Sequence, residues 1–250
     1  MNVFQEKRGS YFVNNYSKAD EERIKKDIAP FTITLTQKDA GFVCPVIENF
    51  IEVEDPVIPI LIRKLFKDHI IIGKTGNIVA ETPASVMGKM WQLSGGTCKL
   101  DNSTSVIISR CKAEKIKELF KGQKIAVMYQ FVKELDVLKE VFGNLLTRSP
   151  EEFQEKKELV FAGQFISAKE GVALHFADAI VMYNISYSAV TYFQSRARLQ
   201  SLNRTSPANI YWLFTKGGIE KKVYQAVSNK LNFSYNFFMR NVARELTMEI

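Results

Sequence analysis

From about residue 105 onward, short apolar runs alternate with amphipathic stretches, and few folds accept that alternation. Residues 125–129, IAVMY, are apolar throughout and have the length of a buried strand. Residues 132–142 follow with apolar side chains at helical spacing. The same pattern predicts strands over 105–108, 159–162, 179–183 and 209–214. It predicts helices over 112–120, 189–202 and 219–229. Strands separated by helices of about 10 to 15 residues imply a parallel sheet covered on both faces, because each parallel neighbour requires a crossover. The fold class read from the sequence is α/β.

Upstream the pattern is less regular. Residues 20–28, DEERIKKDI, read as a short helix stopped by Pro30. FTITL at 31–35 alternates like a strand, and residues 50–53 form another strand candidate ended by Asp55-Pro56. Residues 59–66 read as helical. Residues 85–93 are helical in spacing, with Ser94-Gly95-Gly96 closing the helix. The chain therefore divides into an irregular connector over 1–80, an α/β lobe over 81–232, and a C-terminal tail or helix over 233–250. It contains no internal repeat and no low-complexity segment.

Composition narrows the partners. The chain carries 34 Lys and Arg against 27 Asp and Glu, a net charge of +7, with a pI near 9.2. A basic balance favours a polyanionic partner such as nucleic acid. Cys44, Cys98 and Cys111 form no CxxC or Cys/His cluster, which argues against a zinc site and for free thiols in a reducing compartment. The N-terminus lacks the apolar run of a signal peptide, and no stretch approaches the ~20 apolar residues of a membrane span. A cytoplasmic location without a membrane partner is the expectation.

Gly73-Lys74-Thr75 invites comparison with a phosphate-binding loop. That loop needs a glycine five positions before its last one, so that backbone N–H groups can wrap the phosphates. Asp68 occupies the position, and His69 and three isoleucines fill the interval. Residues 74–77, KTGN, read instead as a polar hairpin turn. Neither His69 nor His175 stands near a Cys or a paired carboxylate at catalytic spacing, and no GxSxG elbow exists.

The helix predicted over 189–202 carries a different signal. Gln194, Arg198 and Leu202 fall at i, i+4 and i+8, on one face, with Arg196 pointing elsewhere. Guanidinium groups remain charged and match phosphate oxygens in a forked geometry. A solvated basic face is the alternative reading of the helix alone.

The ordered motifs around this helix resemble the second lobe of superfamily-two helicases and translocases, closest to the Swi/Snf-type branch. In that family a motif like GxGxNLxxAxxVIxxD leads into QAxxRxxR, then a strand and a GTIEExI turn. Here stand Ala168, Gly171, Leu174 and Ala177-Asp178-Ala179-Ile180-Val181, then Gln194 and Arg198, then Gly217-Gly218-Ile219-Glu220. MWQLSG at 90–95 resembles the (K/R)LxQLxSG segment opening the second lobe. Residues 112–119 followed by KIAVMYQFVKELDVL resemble the helix and strand around its first motif. EKRGSYF at 6–12 and IAPFTITLTQKD at 28–39 resemble the connector after the first lobe. The resemblance spans nearly the whole chain, and RTSPANIYWLFTKGGIE looks like phage-encoded members. One departure is plain: Ser201 stands where the family has its second arginine, with Arg204 three residues further on.

The resemblance implies a RecA-like sheet and a role as the second lobe of an ATP-dependent DNA helicase or translocase. Arg198, with Arg204 behind it, would neutralise charge developing on the γ-phosphate of ATP. Gln194, Gly171 and Glu170 would line the nucleotide, and Ser109, Arg110, Ser167 and Lys169 would contact nucleic-acid phosphates. ATP and Mg2+ would be held jointly with a RecA-like first lobe, in cis or in trans, expected outside these 250 residues, so that the chain alone is inactive. The alternative expectation is a non-catalytic RecA-like module that binds nucleic acid or protein.

Overall fold

The computed structural model describes residues 4–8, 11–15, 20–33, 39–41, 44–165, 174–201, 204, 206–229, 231 and 233–243. It divides into two compact units, Met1–Val43 and Cys44–Ile250. In the first, strands β1 (Phe4–Arg8) and β2 (Tyr11–Asn15) pair antiparallel. Helix α1 (Glu21–Ile28) starts where the Asp20 carboxylate accepts the Arg23 N–H at 3.0 Å. The 3-10 turn Ala29–Phe31, with Pro30 in it, follows. Phe31 therefore closes a turn instead of opening the strand expected over 31–35, of which residues 34 and 35 lie outside the described residues.

The second unit begins with strand β3 (Val46–Val53), helix α2 (Ile58–Asp68), short strands β4 (Ile70–Ile71) and β5 (Ile78–Val79), and helix α3 (Pro83–Ser94). Strands β6 (Thr97–Lys99) and β7 (Ser105–Ile107), helix α4 (Cys111–Leu119), strand β8 (Ile125–Tyr129) and helix α5 (Val132–Phe142) follow. Then come β9 (Leu146–Thr147), α6 (Pro150–Glu155), β10 (Val160–Gln164), β11 (Ala179–Met182), α7 (Ala189–Arg196), β12 (Ala208–Thr215), α8 (Glu220–Ser228) and α9 (Tyr235–Phe238). Six strands form one sheet in the order β3-β12-β11-β8-β10-β9, every neighbour parallel. This is the α/β architecture expected from the alternation, except that the strand expected over 105–108 pairs antiparallel with β6 outside the six-stranded sheet.

The period-two geometry of the strands divides the core into two layers. On β8, Ala126 and Met128 join one apolar cluster while Ile125, Val127 and Tyr129 join the other. On β11, Ile180 and Met182 face the first cluster, Ala179 and Val181 the second. Helices α2, α3, α7 and α8 cover the first face through Ile62, Met90, Tyr192 and Val223. Helices α4 and α5 cover the second through Ile116 and Leu138. Each such side chain, removed from water, contributes about 1.5–3 kcal/mol before entropy is counted.

The largest difference from the sequence reading lies before residue 80. Strand β3 starts at Val46, four residues before the expected strand, and pairs with β12 along its whole length. It forms the edge of the sheet, so residues 46–80 belong to the second unit and not to an irregular flanking region. The KTGN segment does connect a small hairpin: β4 and β5 pair antiparallel, and Asn77 anchors the loop to Asp101 through 2.9 and 3.0 Å hydrogen bonds. Among the described residues no helix is long and apolar enough to cross a membrane.

Candidate functional site

Because the six strands are parallel, their carboxyl ends lie along one edge, where open α/β sheets bind ligands. A buried polar network organises that edge. Glu134, at the start of α5, accepts the N–H groups of Gln130 and Phe131 at 2.8 and 2.9 Å, and the Asn184 amide at 2.5 Å. Asn184, just past β11, accepts the Trp91 indole N–H at 2.9 Å. Burial pushes the Glu134 carboxyl up to about 7, against the opposing pull of the Phe131 N–H, Asn184, the Gln130 N–H and Lys112.

Lys112 and Glu220 form a second part of the network. Their side chains are 3% and 0% exposed and bonded to each other. Lys112 Nζ also donates to the Tyr183 carbonyl at 2.8 Å, and Glu220 accepts the Thr215 N–H at 2.7 Å. The Thr215 hydroxyl donates to the Ser94 carbonyl at 2.8 Å, and the Ser94 hydroxyl accepts the Ile219 N–H at 3.2 Å. The Ser-Gly and Gly-Gly-Ile-Glu segments are thus buried joints holding α3, α4, α8 and β12 together. Gly95 is required here: a Cβ would stand 1.9 Å from Glu134 Oε1 and 2.7 Å from Asn184 Nδ2.

Ser109 and Arg110 lie at the same edge, ahead of α4, and serve different ends. The Ser109 hydroxyl is turned inward, donating to Asp55 Oδ2 and accepting the Cys111 N–H at 3.2 Å. Asp55 also accepts the Val57 and Ile58 N–H groups at 2.9 Å, starting α2. Burial opposes ionisation of Asp55, but the Ser109 hydroxyl and those two N–H groups outweigh it and hold its carboxyl below the ordinary range. Arg110 is turned outward, its Nε 2.6 Å from Glu140 Oε2. Ser167, Lys169, Glu170 and Gly171 lie outside the described residues.

The arginines occupy the other end of the sheet. Helix α7 starts after the carboxyl end of β11 and returns to lead into β12, so its last turn lies toward the amino edge. The helix stops at Arg196 and continues only as the 3-10 turn Ala197–Leu199. Ser195 Oγ bonds back to the Tyr192 carbonyl at 2.9 Å, a local contact that competes with helix propagation. The helix expected to reach residue 202 is therefore shorter, and Arg198 sits on a tightened turn, out of α-helical register with Gln194. Gln194 itself is exposed on α7.

Three arginines here have three environments. Arg196 Nε lies 2.7 Å from Glu48 Oε1, with its guanidinium over the Tyr192 ring. Arg204 donates to the carbonyls of Ser206 (2.9 Å), His175 (3.1 Å), Pro207 (3.2 Å) and Ala177 (3.3 Å), tying the approaches to β11 and β12 together. Arg198 is half-buried and forms no ion pair or hydrogen bond among the described residues.

Glu48 was invisible as a site in the sequence. From β3 its carboxylate accepts the Tyr224 hydroxyl at 2.8 Å, the Tyr192 hydroxyl at 3.1 Å and the Trp212 indole N–H at 3.2 Å, besides pairing with Arg196. A glutamate inside an apolar run carries no motif, so its only sequence signal was the interruption of the run. Lys112 and Glu134 likewise sit in segments singled out for their pattern, not for these side chains, and Asn184 falls just past the strand expected over 179–183.

No protein-family model and no curated protein matches the chain. Solved structures do share its fold. The crystal structure of the C-terminal part of the Fun30 ATPase domain superposes with a TM-score of 0.58 at 16% identity, covering 81% of this chain and 96% of that one. The SWI2/SNF2 ATPase core domain of Sulfolobus solfataricus gives a TM-score of 0.51 at 14% identity, covering 90% of this chain. The chain spans 51% of the length of that core. With its parallel six-stranded sheet between two helical layers, the chain has the RecA-like fold of the C-terminal lobe of Swi/Snf-type ATPases.

Proposed function

We propose that this chain acts as the second lobe of an ATP-dependent DNA translocase or helicase. In this reading the carboxyl edge of the sheet holds nucleic-acid phosphates, with Arg110 as its outward cation. The end of α7 presents Arg198 to ATP bound on a RecA-like first lobe supplied in cis or in trans. The observation that carries the reading is the contrast among the three arginines. Arg196 is paired with Glu48 and Arg204 is held by four carbonyls, while Arg198 has no partner among the described residues. A half-buried guanidinium left unpaired, beside one in an ion pair and one hydrogen-bonded to carbonyls, suits an incoming anion. Arg204 takes the role of a positioning residue, fixing the loops around that arginine.

ATP would supply the phosphoryl group, and the guanidinium of Arg198 would meet its developing charge. Mg2+ would be held with ATP, jointly with the first lobe. ATP turnover tests the proposal. Hydrolysis is expected only when the chain is combined with a phosphate-loop lobe and DNA. Turnover by the chain alone contradicts this division of labour. DNA binding without turnover in the combined sample favours the non-catalytic module instead.

A further inference from the structure

The contact between Arg110 and Glu140 has a geometry that the reading of Arg110 as a phosphate contact does not by itself require. Glu140, on α5, meets Arg110 through Nε alone, at 2.6 Å. The two terminal nitrogens of the guanidinium have no hydrogen-bond partner among the described residues. A carboxylate that competed for the guanidinium would take the bidentate fork, the strongest pairing available to it. Glu140 instead meets the head through Nε and leaves both terminal nitrogens free of hydrogen bonds among the described residues. Arg110 and Glu140 are 46% and 47% exposed and line an open cleft of about 630 Å3 with Glu114, Lys117, Glu118 and Val141. Lys117 is drawn off to the Val141 carbonyl at 2.6 Å, whereas the terminal nitrogens of Arg110 have no such protein partner among the described residues.

We infer that Glu140 is a positioning residue for nucleic-acid binding, holding Arg110 side-on so that its fork meets a backbone phosphate of DNA. An arginine loses rotamer freedom on binding, and a partner that fixes the head beforehand removes part of that cost. The inference rests on the proposed role of Arg110.

Its test exploits a conflict of signs. Removing a negative charge near DNA ordinarily tightens binding, whereas loss of a positioning carboxylate weakens it. Affinity of the full chain for a short fluorescein-labelled DNA duplex, measured by anisotropy at fixed salt, separates the two. Glu140→Ala is expected to weaken binding about twofold to fivefold, the range of an exposed pair. Glu140→Gln keeps an oxygen for the Nε–H and is expected to bind at least as tightly as the parent. In an Arg110→Ala background, Glu140→Ala is expected to cause no further loss. Tighter or unchanged binding by Glu140→Ala, with Arg110→Ala still weakened, overturns the inference and leaves the role of Arg110 standing. No effect of Arg110→Ala overturns both.

Discussion

The Arg196 guanidinium lies 2.7 Å from the Glu48 carboxylate, joining the last turn of α7 to the edge strand β3. Glu48 also receives Tyr192, Trp212 and Tyr224, so one carboxylate satisfies donors from α7, β12 and α8. Replacing it by alanine leaves those donors and a cation without their acceptor. Glu48→Ala is expected to cost about 3 kcal/mol of stability, read by urea denaturation. A loss within about 0.5 kcal/mol, as for an ordinary surface substitution, would show that the cluster is not a structural joint.

Two glycines on and beside α3 make opposite predictions. Gly95→Ala would drive a methyl group into Glu134 and Asn184, both fixed by their own hydrogen bonds, and is expected to destabilise by about 2 kcal/mol or more. Gly88 lies inside the helix, and a Cβ added there would meet nothing within 4 Å. Gly88→Ala is therefore expected to stabilise by about 0.5–1 kcal/mol. Thermal melts of both variants check the pair. Equal effects would contradict the packing described at Gly95.

Glu134 predicts a pH dependence with a definite sign. Its carboxyl is raised by burial from 4.5 to about 7, so between those values the folded state holds a proton that the unfolded state has released. Stability from this group is full below pH 4.5 and is lost as pH rises through 7. Glu134→Gln removes the titration. The difference in melting temperature between parent and Glu134→Gln should shift against the parent as pH rises from 5 to about 8. A constant difference would mean that Glu134 does not titrate in this window.

Much of the sheet was legible in the chain. The apolar run of β8 and the helical spacing of α5 match their observed limits, because neither is interrupted by a polar side chain out of pattern. Strand β3 was read short because Glu48 and Asn49 break its apolar pattern; only tertiary partners on β12, α7 and α8 make a glutamate acceptable there. The two-residue β9 is too short to leave a periodic signal. At the site, the motif glycines, Ser94 and Glu220 were visible as residues, but their burial as joints was not. Spacing also placed Gln194 and Arg198 on one helical face. It could not foresee that the helix would tighten to a 3-10 turn after Arg196, nor that Arg204 would be consumed by carbonyls.

If Arg198 acts on ATP held by another lobe, its removal should abolish turnover without disturbing the fold. DNA-stimulated ATP hydrolysis is measured with the parent chain and with Arg198→Ala, each combined with a phosphate-loop lobe at matched concentrations. Loss of a charge-neutralising arginine from such a site is expected to lower turnover by about a thousandfold or more, with melting temperature and DNA affinity unchanged. Turnover that survives Arg198→Ala at the parent rate would mean that Arg198 does not act on ATP.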